Sequence, residues 1–197
     1  MAEYTPSELH GQRLDGTVRT PNHDAFGLAV VIFQLLFMGR HPFMERYAGG
    51  EMPIEKAIAE HRFAYSKQRS TGMSPPPGAC QISDFPTFIG NAFEAAFSPN
   101  ATSRPTALQW VKTLEALEGS LTKCGSNPMH FYPSAATKCV WCRMEQQLQI
   151  LLFFAFFRFW SRSADGVPGR GVARPVLPPM IRTCWGLASS LIPRCWR

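Results

Sequence analysis

The sequence is short of charge, and only 17% of its 197 residues are Asp, Glu, Lys or Arg. It has no apolar run long enough to cross a bilayer as a helix, which excludes an ordinary membrane span. Met1 to Asp15 contains no apolar stretch of the kind a secretory leader needs, so the cytoplasm is the expected compartment. Residues 148–197 contain no lysine and one acidic residue, Asp165, against seven arginines. Residues 1–147 are balanced, with 13 basic and 13 acidic side chains, so the net charge of +6 belongs to the tail. Six cysteines by themselves would suit disulfides. In a reducing compartment the close pair Cys139 and Cys142 points to metal or redox chemistry instead.

What is present is a concentrated apolar segment, Asp24 to Phe43. Between Leu28 and Met38 its one polar residue is Gln34. A segment apolar on every side belongs in a core. Val30, Val31 and Ile32 would suit a buried strand, but Asp24 as N-cap and Gly39 as a stop favour a helix. Amphipathic spacing predicts further helices over 54–63, from Pro86 to about Phe97 with Asp84 as its cap, and over Thr106–Leu117. The last has Leu108, Val111, Leu114 and Leu117 on one stripe, with Trp110 beside it. Gly11, Gly16 and Pro21 mark residues 10–23 as a loop, and Pro75, Pro76, Pro77 and Gly78 mark another.

Several short motifs resemble the C-terminal lobe of protein kinases. Asp24, Phe26 and Ala29, then Gly39, Pro42 and Phe43, are similar to the Asp-x-Trp-x-x-Gly helix and following Pro-Phe of that family, with Phe26 for Trp and Ala29 for Gly. The resemblance implies that Asp24 accepts hydrogen bonds from a catalytic loop. Glu3 to Leu9 resembles the end of an activation segment, with Glu8 in the place of the Glu of Ala-Pro-Glu and Ser7 in the place of its Pro. The partner the resemblance implies for Glu8 is Arg104, in Ser103-Arg104-Pro105-Thr106. The likeness covers residues 4–119.

Cys124, His130, Cys139 and Cys142 follow at the spacing C-x5-H-x8-C-x2-C. Two ligands two residues apart grip one ion from a tight turn, and a second pair nearby completes a tetrahedron, so residues 120–147 read as a structural zinc knuckle. A free thiol set or a redox Cys-x-x-Cys would be the alternatives. Asn127, Pro128, His130, Tyr132 and Trp141 with the three cysteines are similar to the region that follows the lobe in bacterial serine/threonine kinase-like proteins bearing a helix-hairpin-helix region further on.

The fold class expected is therefore mainly α, a partial protein-kinase-like C-terminal lobe with a zinc module. The tail, 148–197, is apolar and then rich in Arg and Pro, and is expected to be disordered. The family implies ATP- and magnesium-dependent serine/threonine phosphorylation, which needs a Gly-rich phosphate cover, a strand Lys, a catalytic Asp and a metal-binding Asp. None is found: Asp24-Ala25-Phe26-Gly27 opens the helix, and Glu60-His61-Arg62-Phe63 has Phe where His-Arg-Asp has its carboxylate. A truncated, non-catalytic product is expected, with ATP and magnesium confined to the full-length family. Its central helix would keep a bare apolar face, suited to a protein partner or self-association. A nucleic-acid or membrane partner bound through the basic tail is the alternative.

Overall fold

Among the described residues, Thr20 starts the longest helix by a reciprocal cap: its hydroxyl accepts from the His23 N–H, and the His23 ring accepts from the Thr20 N–H. Pro21 occupies the first turn, where its missing N–H costs nothing. The computed structural model describes residues 2–13 and 15–153. They are mainly helical: α1 Pro21–Leu36, α2 Ile54–Ala59, α3 Thr87–Ala96, α4 Ala107–Gly119 and α5 Val140–Leu148. Two small antiparallel ribbons complete them, β1 Arg46–Tyr47 with β2 Met73–Ser74, and β3 Leu121–Lys123 with β4 Phe131–Pro133.

The expected cap at Asp24 is displaced. Helix α1 begins before it, and Asp24 sits in the first turn with its carboxylate 3.1 Å from Arg19. Thr20 has the hydroxyl and extended backbone that a cap needs, and Pro21 after it is pre-set for the helix.

Helix α1 buries Phe26, Ala29, Val30, Ile32 and Phe33, and the following Phe37 continues that side. Phe33 is the hub of an aromatic cluster, stacked on Phe37 at 4.0 Å and edge-on to Phe63, Tyr65, Phe93 and Phe97. Rings in edge-on poses gain ~0.5–1.5 kcal/mol per pair beyond their area burial. The opposite side is bare: Leu35 is 76% exposed and Val31 43%. One side of the segment is therefore buried, and the other keeps the exposed apolar residues Val31 and Leu35.

Other boundaries moved for local reasons. Helix α2 ends early because Glu60 leaves helical geometry and His61 turns to φ 51°. Asp84 does not cap α3. It closes a 3-10 turn, Ile82–Asp84, where it accepts the Gln81 N–H at 2.7 Å. Helix α4 is capped by Thr106 with Gln109, and it turns Trp110 and Leu117 inward while Leu108 and Val111 face solvent. The expected stripe was rotated because the largest side chain, Trp110, fills the space against Phe93 at 5.0 Å. Glu94 of α3 is buried, and its carboxylate accepts the N–H groups of Lys67 and Gln68 and the Ser66 hydroxyl, anchoring the start of the Pro-rich loop.

Among the described residues no helix is long and apolar enough to cross a membrane. The tail from 154 onward, expected to be disordered and basic, lies outside them.

Candidate metal centre

The β3–β4 hairpin and the start of α5 converge on one small volume. In the hairpin the Cys124 N–H donates to the His130 carbonyl at 2.9 Å, and the His130 N–H donates to the Asn127 carbonyl at 3.1 Å. This places a thiol and an imidazole at the same end of the ribbon. Cys139 occupies the cap position of α5 and Cys142 lies in its first turn, so the Cys-x-x-Cys pair straddles a helix start rather than the tight turn expected. His130 is fully buried and the three cysteines are half-buried.

The four ligand atoms lie within 4.8 Å of one another. The Cys124 and Cys142 sulfurs are 3.5 Å apart, and His130 Nδ1 is 3.4 Å from Cys142 Sγ and 3.6 Å from Cys139 Sγ. Tetrahedral zinc with bonds of ~2.3 Å to sulfur and ~2.0 Å to nitrogen would separate its ligands by roughly 3.5–3.8 Å. The donor set therefore fits a tetrahedral cation in both size and chemistry, and four protein ligands leave no position for a reactive water.

The thiols differ in their environment. Backbone N–H groups of Ser126 and Asn127 point at Cys124 and lower its pKa to about 6. Burial, with the thiols of Cys124 and Cys139 beside it, pushes Cys142 up to about 12. Three sulfurs this close repel once ionised, and a divalent cation is what removes that repulsion.

Around the ligands, Glu145 Oε1 lies 3.3 Å from His130 Nε2, and Asn127 Nδ2 lies 3.1 Å from the same nitrogen. The sequence reading missed Glu145. Its signal was the i, i+3 spacing from Cys142, which puts both on one helix face. The Trp141 indole N–H donates to the Phe131 carbonyl and ties helix to hairpin. The unit is also joined to the lobe. Val140 and Met144 are buried in the same core as Phe33, and Arg143 makes a two-bond pair with Asp84 at 2.9 and 2.6 Å.

The three kinase-motif residues lie at the N-terminal end of α1. Arg104, buried, reaches Glu8 with both terminal nitrogens, one at 3.0 Å, and donates to the Asn22 side chain at 2.9 Å. Its guanidinium also lies 5.4 Å from the Phe26 ring centre. Partial burial raises the Glu8 carboxyl, but hydrogen bonds from Arg104 and from its own and the Ser7 groups outweigh this and hold it at about 2. Asp24 is not drawn into this group and remains exposed beside Arg19.

No family model and no solved structure matches the chain significantly. Among curated proteins it is similar to "Protein kinase YegI" of Escherichia coli O157:H7 and of Escherichia coli strain K12, 39% identical in each over 153 residues, or 75% of this chain. The chain spans 24% of the length of these relatives. Over these residues the chain is similar to part of a protein kinase, and it carries a Cys/His cluster able to hold a metal ion.

Proposed function

We propose that these residues act as the helical scaffold portion of a bacterial serine/threonine kinase-like protein, and that by themselves they transfer no phosphoryl group. The similarity to a protein kinase over three quarters of the chain carries the first part. The second rests on chemistry: the 197 residues hold neither a catalytic Asp in a His-Arg-Asp setting nor an Asp-Phe-Gly at a loop. The chain alone, incubated with labelled ATP, magnesium and a generic protein substrate, is expected to incorporate no label above a no-protein control. Incorporation that survives further purification would overturn the reading.

The Cys/His centre is assigned a structural zinc, held by Cys124, His130, Cys139 and Cys142. What zinc supplies there is a cross-link between the hairpin and α5. The separations among the ligand atoms support this assignment. The uncovered side of α1, with Val31 and Leu35, supports a role in binding a protein partner or a second copy.

A further inference from the structure

Two side chains of opposite hydrogen-bonding character meet at His130 Nε2. Asn127 turns its amide NH2 toward the ring, because its Oδ1 is already engaged by the Met129 N–H at 3.0 Å. An NH2 group only donates, so it suits a ring whose Nε2 is bare. A carboxylate only accepts, so Glu145 suits a ring that carries its proton on Nε2. The other nitrogen, Nδ1, faces the sulfurs of Cys139 and Cys142.

These requirements separate two tautomers. With the proton on Nδ1, the ring donates toward sulfur, Asn127 is satisfied, and no lone pair faces the cluster. With the proton on Nε2, Glu145 accepts it and the Nδ1 lone pair is directed at the point where the three sulfurs converge. We propose that Glu145 is the positioning residue of this centre, selecting the metal-binding tautomer of His130; the proposal rests on the centre being a metal site. A carboxylate behind a metal-binding imidazole also makes it a better donor to the cation.

Glu145 is built into its place. Its side chain is only 14% exposed, and Oε1, the atom facing His130, also accepts the Leu152 N–H at 2.9 Å. The next residue, Phe153, packs edge-on to the His130 ring at 5.2 Å and to Trp141 at 5.5 Å. The segment leaving α5 thus closes over the imidazole and keeps water from competing for Nε2.

The test is a cobalt(II) titration of the full chain, with affinity read by competition against a chromophoric chelator and geometry read from the visible d–d bands. Glu145→Ala is expected to weaken binding ~10–100-fold. Glu145→Gln keeps an acceptor oxygen without the charge and is expected to fall between Glu145→Ala and the parent. In a His130→Ala background Glu145→Ala is expected to change affinity less than about twofold, because the ring it positions is gone. Equal losses in both backgrounds, or no loss in the parent background, would overturn the role of Glu145 while leaving the centre intact. A parent chain that takes up no cobalt would overturn the centre and the proposal together.

Discussion

The pair formed by Glu8 and Arg104 joins the first described segment to the loop before α4, and its pH dependence follows from its geometry. The Glu8 carboxyl is held at about 2, below its ordinary 4.5, so folding favours its ionised form. The stabilisation is fully present above about pH 4.5 and is lost as the pH falls toward 2. Glu8→Gln leaves Arg104 charged and buried with Asn22 as its remaining side-chain partner. The side chain of Glu8 is one-third exposed, so the cost at neutral pH is expected to be about 2 kcal/mol rather than the larger loss typical of a fully buried pair. Urea melts at pH 7 and pH 3 check this. The gap between parent and variant should narrow at the lower pH, and an unchanged gap would count against the pair as its source.

At the level of elements, the hairpin and α5 are short pieces with little apolar content of their own. The hairpin strands have three residues each, and α5 has nine. A two-stranded ribbon and a helix of this length are marginal in water. They are held by Val140 and Met144 in the core, by Arg143 on Asp84, and by whatever joins the four ligands. Protein prepared without chelator is expected to carry about one equivalent of zinc, consistent with a single four-ligand site. Stripping the metal with a strong chelator should lower the melting temperature by several degrees, as for the loss of about 1–3 kcal/mol, and should increase amide exchange across 121–148. Less than half an equivalent of zinc, or an unchanged melt after stripping, would count against the assignment.

At the level of the whole molecule, α1 and the Cys/His cluster were readable from sequence because each rests on side-chain type at a fixed spacing. An apolar run with polar breakers marks a helix wherever it lies, and thiols near an imidazole are uncommon enough to stand out. The cap at Thr20 was missed because two oxygen-bearing residues compete for the start, and the choice depends on the turn that Pro21 permits. The rotation of α4 was missed because Leu108, Val111 and Trp110 are all apolar, and only the space beside Phe93 decides among them. Helix α5 was hidden by its cysteines, since its inward residues Val140 and Met144 are just two. Arg143 on Asp84 could not be read at all, because nothing local relates positions 59 residues apart.

The uncovered side of α1 gives a prediction at this scale. Apolar surface stabilises association by ~25 cal/mol per Å² removed from water. Sedimentation of the full chain is expected to show self-association at micromolar concentration. Leu35→Glu, at a position 76% exposed, should weaken it without lowering the melting temperature. Association unchanged by Leu35→Glu would exclude this face as the cause.

The link between Glu8 and Arg104 spans 96 positions of chain. During synthesis Glu8 emerges 96 positions ahead of its guanidinium, so until Arg104 follows, the residues around it are held by weaker contacts such as Tyr4 on Gln34 and the Glu3 carbonyl on His41. Helix α1 meets Phe93 and Phe97 only at a similar stage, so completion of the aromatic hub and formation of the Glu8–Arg104 pair fall together. A nascent chain arrested before position 104 should therefore be cut by protease around residues 4–9 more readily than one released beyond α4.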